Sequence, residues 1–317
     1  MRQLENIDIN DLKSFDVKDY VIKIISNWKL FIIVFILGLL ITSFINSYKQ
    51  RIYSLESIIA VKEEQNPLFT STTNIAFNWG GPSDKVENII TILKSRTHNE
   101  KVVDSLQSYI TYMQEGRFRL DDITGQVPFK ILLDSTNYQL LNIPIKLEYL
   151  ENEKVLVEVE FENEENTFID YSSKLTNRKI VDTKSYSKKF NINEYIYTPY
   201  SGFNINIDST YTPVDLVGKI YYVVFRSYNG TVNSLKNINA ISLTKGTSLI
   251  QLELKGTNKK KIEDYLNATV KILERDQKAQ KIEYATKTRN YINSIFLKAG
   301  DSLMKFENLN IYIKETS

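Results

Sequence analysis

A run of uncharged residues near the N-terminus constrains this chain more than any other feature of its sequence. No residue between Lys29 and Lys49 is charged, and most of the run is apolar. As an α-helix rising about 1.5 Å per residue, the run would be about 28 Å long, close to the hydrocarbon thickness of a bilayer. Trp28 and Tyr48 stand at its two ends, where amphipathic rings favour the membrane interface. The sequence therefore predicts a membrane-spanning helix. We place four large residues within the span: Leu30, Phe35, Leu40 and Ile45.

Two other interpretations of this run are weaker. A cleaved signal peptide has a short basic start, whereas about thirty residues with several aspartates precede this run. A buried helix of a soluble domain would be apolar along one stripe, whereas this run is apolar on every face. A small excess of lysine before the span places the N-terminus in the cytoplasm. No second apolar run follows, so we expect most of the chain on the opposite side.

Composition excludes several kinds of chemistry. The chain of 317 residues has no cysteine, a single histidine (His98) and a formal net charge of +2. Disulfides, zinc–cysteine sites, thiol catalysis and histidine-rich metal sites are therefore excluded. The nearly balanced charge gives no field to attract nucleic acid, so none is expected as a partner. We expect His98 at or near the surface, just after a helix.

The segment after the span mixes strands and helices. Residues 53–62 are typical of a strand, Ser83 is a candidate N-cap of a helix, and residues 99–113 have the spacing of a second helix. From residue 126 to about 254 the apolar pattern changes to period two. We expect strands at 127–133, 143–150, 154–161, 203–208, 219–225 and 248–254. Asn229-Gly230 indicates a turn. A run of glutamates at 162–165 is interpreted as a solvated hairpin tip.

The C-terminal part predicts one long helix. Thr257 or Asn258 can cap it, and no proline follows. Apolar residues recur at alternating steps of three and four from residue 282 to 313, which is typical of a coiled-coil seam. A continuous helix would be about 85 Å long and needs a partner helix; the alternative is a shorter helix that ends near Gly300. We assign oligomer packing to Ile292, Phe296, Leu303 and Phe306.

The sequence lacks the common catalytic and nucleotide-binding motifs. It has no G-x-x-x-x-G-K-[ST] loop, no G-x-S-x-G elbow and no G-x-G-x-x-G turn. No pair of carboxylates is favoured for glycosidase chemistry. We therefore predict no enzyme activity, and we assign no catalytic, cofactor-binding or metal-binding residues and no cofactor.

The order of these elements resembles a known family. The resemblance rests first on the membrane anchor. It also rests on the helix VENIITILKSR from Val86 with the following KVVDSL, and on the stretch GTSLIQLELKGTN from Gly246. KIEDYLN and the heptad helix with ATKTRNYI from Ala285 follow. This arrangement resembles the bacterial polysaccharide co-polymerases, or Wzz-type chain-length determinants. It is most similar to the membrane-anchored N-terminal part of the Wzc-like tyrosine autokinases of capsule and exopolysaccharide export. The similar stretches are about 15–110 and 235–313.

The resemblance implies a function and a set of partners. The chain would be a bacterial inner-membrane protein, single-pass as given, with its bulk in the periplasm. Copies would form a homo-oligomeric ring that sets polymer length or couples a polysaccharide polymerase to an outer-membrane exporter, with the lipid bilayer as a further partner. Members of the family return through a second span, and the kinase branch adds an ATP-binding domain and a tyrosine-rich tail. This sequence shows neither a second span nor a phosphate-binding loop. We expect it to be a truncated form, with a naturally frayed terminus as the alternative.

The fold class that follows is α+β, with an N-terminal transmembrane helix, a Wzz-type α/β domain, a β-rich insertion and a long coiled-coil-like helix. The expected boundaries are a cytoplasmic tail at 1–19, the span region at 20–48, the Wzz-type domain at 49–125 and 211–257, the insertion at 126–210, and the long helix at 258–317. The main alternative function is a membrane-tethered sensor ectodomain. An anchored glycan hydrolase and a surface adhesin or stalk are weaker alternatives.

Overall fold

The computed structural model describes residues 17–61, 82–243 and 248–315, and the chain divides into two units, residues 1–51 and 52–317. The first unit contains helix α1 (Val17–Ser26) and helix α2 (Trp28–Tyr48). Asn27 lies between them, and its backbone and side-chain nitrogens both donate to the carbonyl of Lys23, at 3.1 and 2.9 Å. The predicted tail lies outside the described residues as far as residue 16, and α1 begins at Val17. From the sequence we also expect a loop at 66–81, and these residues lie outside the described ones as well.

The second unit combines helices and strands, which confirms the predicted α+β class. Its described helices are α3 (Pro82–Lys94), α4 (Arg96–Leu106), α5 (Pro213–Leu216), α6 (Tyr228–Leu235) and α7 (Lys259–Glu315). Its described strands are β1 (Tyr53–Ala60), β2 (Ile110–Glu115), β3 (Leu120–Asp122), β4 (Phe129–Leu133), β5 (Gln139–Leu140), β6 (Ile145–Leu150), β7 (Lys154–Glu160), β8 (Glu165–Asp170), β9 (Leu175–Ile180), β10 (Ser185–Asn191), β11 (Ile196–Tyr197), β12 (Gly202–Ile207), β13 (Ile220–Phe225), β14 (Asn239–Ser242) and β15 (Leu249–Gly256).

A small antiparallel sheet joins distant parts of the sequence. Its strand order is β1-β15-β14, and β1 pairs along its whole length with β15, from Tyr53 opposite Gly256 to Ala60 opposite Leu249. Helices α3, α4 and the start of α7 cover this sheet. They share with it a core that includes Val86, Leu93, Ile250 and Leu252, all nearly inaccessible to solvent. This core holds together segments that are almost two hundred residues apart.

A second and larger core lies among the remaining strands. The main sheet has the order β10-β7-β6-β13-β2-β3, and two three-stranded sheets, β11-β12-β4 and β5-β8-β9, accompany it. The alternation predicted for the strand at 154–161 is confirmed, because Val155, Val157 and Val159 are buried. Phe129 packs its ring edge-on against Tyr112 and Tyr221, with centroids 5.6 and 5.2 Å apart. Aromatic residues thus fill much of this core.

The sheet pairing crosses the predicted domain boundaries. Strands β2 and β13 lie in segments assigned to the Wzz-type domain, yet both belong to the main sheet, where β13 pairs with β6 and with β2. Strands β6, β7 and β10 of that sheet come from the predicted insertion. The strands on the two sides of these boundaries therefore share one sheet and one core.

Two local predictions need correction. The helix expected at 99–113 is α4, and it ends at Leu106 because Gln107 takes a left-handed conformation with φ 49°. The backbone N–H of Ser108 then bonds to the carbonyl of Val103, which closes the helix end, and residues 110–113 belong to strand β2. Asn229-Gly230 is not a turn between strands. It lies in the first turn of α6, where the Ser227 hydroxyl accepts from the N–H of Gly230 at 3.2 Å.

Two further corrections concern single residues. Ser83 lies inside α3, which begins at Pro82, so it is not the N-cap. His98 lies within α4, not after a helix, and it is only 3% exposed, so the expected surface position is wrong. The helical periodicity of a short segment does not reveal which of its faces the rest of the chain covers, which is why the burial of His98 was not predicted. The glutamates at 162–165 are exposed as expected, but they do not form a hairpin tip, because β7 and β8 belong to different sheets and Glu165 is the first residue of β8.

The long helix is confirmed. Helix α7 runs without interruption for 57 residues through Gly300, which makes it about 85 Å long. Asn258 is its cap, since its side-chain oxygen accepts from the backbone N–H of Lys261 at 3.0 Å. The amide nitrogen of Asn258 also donates to the carbonyls of Asp122 and Thr124, both at 3.0 Å. The cap therefore fixes the start of α7 to the end of β3.

Candidate functional site

Helix α2 is the predicted membrane span, and its composition fits that role. It has 21 residues, about 31 Å in length, and its mean hydropathy in an 18-residue window is 2.5. Leu30, Phe35, Leu40 and Ile45 are all exposed, as is every other side chain of the helix. A helix that is apolar on all sides and covered by none of the described residues is suited to a lipid environment.

Two of the polar side chains of α2 form hydrogen bonds within the helix itself. The hydroxyl of Thr42 donates to the carbonyl of Gly38 at 2.7 Å, and that of Ser47 donates to the carbonyl of Ser43 at 2.9 Å. Because lipid offers no hydrogen-bond partner, such internal bonds lower the cost of placing a hydroxyl in the membrane.

The first part of α7 is packed against the small sheet and α4. Its buried residues are Ile262, Tyr265, Leu266, Thr269, Ile272 and Leu273. The Tyr265 hydroxyl donates to the side-chain oxygen of Asn99, which lies in α4, and also lies 3.1 Å from the carbonyl of Leu235 at the end of α6. Asn99 in turn donates to the carbonyls of Leu93 and Ser95 at 2.8 Å. This buried network joins α3, α4, α6 and α7.

The packed part of α7 ends with a charged contact. Lys101 of α4 lies 2.6 Å from the carboxylate of Asp276, and both side chains are partly exposed. From residue 278 to residue 306 every side chain of α7 is exposed. At about 1.5 Å per residue, the helix extends about 57 Å from residue 278 to its end at Glu315. Residues 278–315 of α7 are called the distal segment below.

The four predicted packing residues all lie on the distal segment. Ile292, Phe296, Leu303 and Phe306 are exposed, Phe296 at 76%, and none of them contacts another part of the chain that the structure describes. The seam residues Asn310 and Ile313 belong to the helix, but their side chains lie outside the described ones. The structure thus leaves the predicted seam uncovered within one chain, and it does not show what covers it.

Sequence reasoning missed further apolar residues beside the seam. Tyr284, Tyr291 and Ile295 follow the same seven- and four-residue steps along one side of it, and Leu297 and Met304 lie on the other side. All five are exposed. The sequence showed these residues as a second set of apolar positions at seven- and four-residue steps, outside the seam. Together these columns make the apolar surface of the distal segment much wider than a two-helix seam, which occupies a narrow stripe.

His98 is a buried polar residue of the packed region. Neither of its ring nitrogens has a hydrogen-bond partner among the described residues. Burial lowers the pKa of His98; Asp276 opposes this effect and Lys101 adds to it. The folded chain therefore favours the neutral form of the His98 ring. Within the described residues, no group of three His, Asp or Glu side chains could hold a metal ion.

A family comparison accounts for the N-terminal elements. Residues 13–106 match the family model described as the Wzz chain length determinant protein. This segment of the chain is similar to the Wzz-type chain-length determinants. The predicted resemblance to the Wzz-type polysaccharide co-polymerases is thereby confirmed, and with it a link to polysaccharide chain-length determination. No curated protein matches the chain.

The Wzz-type segment depends on the C-terminal part of the chain for its fold. The match begins before α1 and ends with α4, so it includes α2, β1 and α3. Strand β1 finds its partner in β15, and the inner faces of α3 and α4 pack with the first part of α7. The predicted similarity at 235–313 lies outside the matched residues and stays a prediction, as does the likeness to the kinase branch. The span and the Wzz-type match are both consistent with membrane anchoring.

Proposed function

We propose that this chain is an inner-membrane polysaccharide co-polymerase, which scaffolds and regulates the length and export of an exopolysaccharide or capsule. The Wzz-type match over residues 13–106 carries the proposal, because it covers the span and the first elements of the second unit together. In this proposal the N-terminus lies in the cytoplasm and residues 52–317 lie in the periplasm. The chain itself catalyses no reaction.

The mechanism we propose is assembly. An isolated helix gains most of its stability from packing its apolar face, and residues 278–306 of the distal segment have no such packing against the parts of the chain that the structure describes. Anchoring by α2 holds copies in one plane and raises their local concentration. Neighbouring copies could then cover the apolar columns on the distal segment. A surface that extends beyond one stripe favours more than one neighbour per helix, as a closed ring provides.

The partners in this proposal follow from the same arrangement. The ring would stand beside a polysaccharide polymerase and an outer-membrane exporter, and the bilayer would hold α2. A growing polymer would meet several identical copies at once, so that contact with the ring could report its length. No nucleotide or metal takes part in this step.

The proposal is tested first by deleting the gene in the cell that makes this protein. We expect the length distribution of the surface polysaccharide, separated on a gel, to lose its preferred range and to recover with the full chain supplied in trans. A variant with α2 replaced by a cleavable secretion signal should fail to restore it. An unchanged length distribution after deletion would contradict the proposal.

Assembly is tested with one charge on the seam. Phe296→Glu should reduce crosslinked oligomers of the membrane-embedded chain about tenfold or more, because the carboxylate would be buried in an apolar interface. Ser294→Glu is the matched control, since residue 294 lies two positions away on the opposite side of the helix. It should leave the oligomers intact. Equal crosslinking of the Phe296→Glu variant and the unmodified chain would refute packing through this face.

A further inference from the structure

The three-stranded sheet β11-β12-β4 has one buried face and one solvent face. Ile196, Phe203, Ile205, Ile131 and Phe129 point into the larger core. The residues that alternate with them point outward, as the pleat of a strand requires. The outward residues form a surface that we call the tyrosine face, and they are Tyr195, Tyr197, Asn204, Asn206, Leu132 and Lys130.

Two aromatic rings lie side by side on the tyrosine face. The rings of Tyr195 and Tyr197 are nearly parallel, at 25°, with centroids 6.5 Å apart, and Tyr197 is 60% exposed. They are two positions apart in the chain, so the strand geometry places both on the same side. An exposed pair of tyrosine rings offers apolar contact area at little loss of side-chain entropy.

The ring of Tyr195 is fixed by hydrogen bonds. Its hydroxyl donates to a carboxylate oxygen of Asp134 at 2.8 Å and accepts from the side-chain amide of Asn137 at 2.7 Å. The hydroxyl also lies over Gly202, where a Cβ would approach it to 2.1 Å. A side chain at position 202 would therefore displace the ring. The aromatic surface is held in place before any partner arrives, which reduces the entropy lost on binding.

Free amides and little free charge lie next to the rings. The side chains of Asn204 and Asn206 point to solvent, and no described group hydrogen-bonds to them. Each amide can donate and accept at once. The carboxylate of Asp134 accepts hydrogen bonds from Thr136, Asn137 and Tyr195, which lower its pKa to about 2, so it is ionised and its negative charge stands beside the positive charge of Lys130. Lys130 is the only other charged side chain of this surface. A uniformly charged polymer finds no complementary field here.

We propose that the tyrosine face binds the sugar rings of an uncharged or weakly charged polysaccharide. The C–H face of a sugar packs on an aromatic ring, while its hydroxyls both donate and accept hydrogen bonds, and this surface provides a group for each need. Successive sugars of an extended chain would lie over Tyr195 and Tyr197, with Asn204 and Asn206 bonding to their hydroxyls. This inference rests on the proposed function, which supplies the polymer.

The test uses the full chain in lipid nanodiscs. The probe is the surface polysaccharide extracted from the cells that make this protein, cut into short oligosaccharides, and binding is measured by titration calorimetry. We expect Tyr197→Ala to weaken binding about tenfold, and Asn204→Ala to weaken it less. The matched control is Tyr53→Ala, which removes an exposed tyrosine from the small sheet and should bind like the unmodified chain. Circular dichroism of each variant verifies that the fold is retained.

The outcomes separate this inference from the proposed function. No binding by the unmodified chain, or equal binding by the unmodified chain and the Tyr197→Ala variant, overturns the tyrosine face as a glycan site. So does tight binding of a protein partner, with no oligosaccharide binding, at this surface. If gene deletion still alters polymer length, the co-polymerase role stands without the site. If deletion leaves polymer length unchanged while Tyr197→Ala abolishes oligosaccharide binding, the site stands and the proposed function falls.

Discussion

The two parts of helix α7 both contain apolar residues, but these residues are buried in the first part and exposed in the second. Residues 259–277 place Ile262, Leu266 and Leu273 in the core beneath the small sheet, whereas residues 278–306 expose every side chain, including several large apolar ones. One continuous helix runs through both parts. An apolar stripe along a helix therefore marks a surface that needs covering, and it does not say whether the cover comes from the same chain or from another.

One leucine from each part gives the largest expected difference. Leu266 is 4% exposed and Leu303 is 70% exposed. Leu266→Ala should lower the free energy of unfolding by about 3 kcal/mol, because it leaves a cavity in the core. Leu303→Ala should change it by less than about 0.5 kcal/mol in a dissociated chain, and it should weaken the oligomer instead. Urea unfolding in detergent, followed by circular dichroism, measures both. Equal destabilisation by the two variants would remove the distinction.

Tyrosine hydroxyls offer a second and smaller comparison. Tyr265 is buried and bonds to Asn99 and Leu235, whereas Tyr284 lies on the distal segment and is exposed. Tyr265→Phe should cost about 1–2 kcal/mol of unfolding free energy, since it leaves the buried oxygen of Asn99 without a donor. Tyr284→Phe should have no measurable effect under the same conditions. A neutral Tyr265→Phe would show that the network does not hold α7 to α4.

Acidification from about pH 7.5 to 5.5 should lower the stability of the packed part through His98. Its pKa is lowered in the folded chain by burial, so between the folded pKa and about 6.5 the unfolded chain binds more protons than the folded one. Stability is therefore complete above about pH 6.5 and falls as the pH is lowered below it. Denaturant unfolding at pH 7.5 and pH 5.5 should show a larger loss for the unmodified chain than for His98→Leu. Identical losses in the two proteins would exclude His98 as the source.

The local sequence pattern was sufficient to predict an element where that element depends on residues close to it in sequence or on contact with solvent. The alternation of Val155, Val157 and Val159 predicts β7 correctly, and the capping residue Asn258 marks the start of α7. It failed where a single backbone conformation ends an element. Gln107 carries no sequence signal for its left-handed conformation, and without it residues 110–113 would fit a helix as well as they fit β2.

The candidate surfaces divide in the same way. The span was predicted from an unbroken apolar run and the seam from helical spacing, because each pattern lies within one helix; packing through Ile292, Phe296, Leu303 and Phe306 stays a prediction. The tyrosine face was not, since Tyr197 and Asn204 come together only through the pairing of β11 with β12 and of β12 with β4. Spacing along a sequence shows which residues share a face of one strand, but it does not show which strand lies beside it.

The sequence by itself determined the apolar span, the long helix and the mixture of helices and strands, because each of these depends on composition or on a short repeat. The tertiary structure decided the rest. It brought β1 against β15, buried His98, and placed β2 and β13 in one sheet with strands of the predicted insertion. These features arise from contacts between residues far apart in the chain, where the free energy of burying apolar surface, and not local preference, selects the partner.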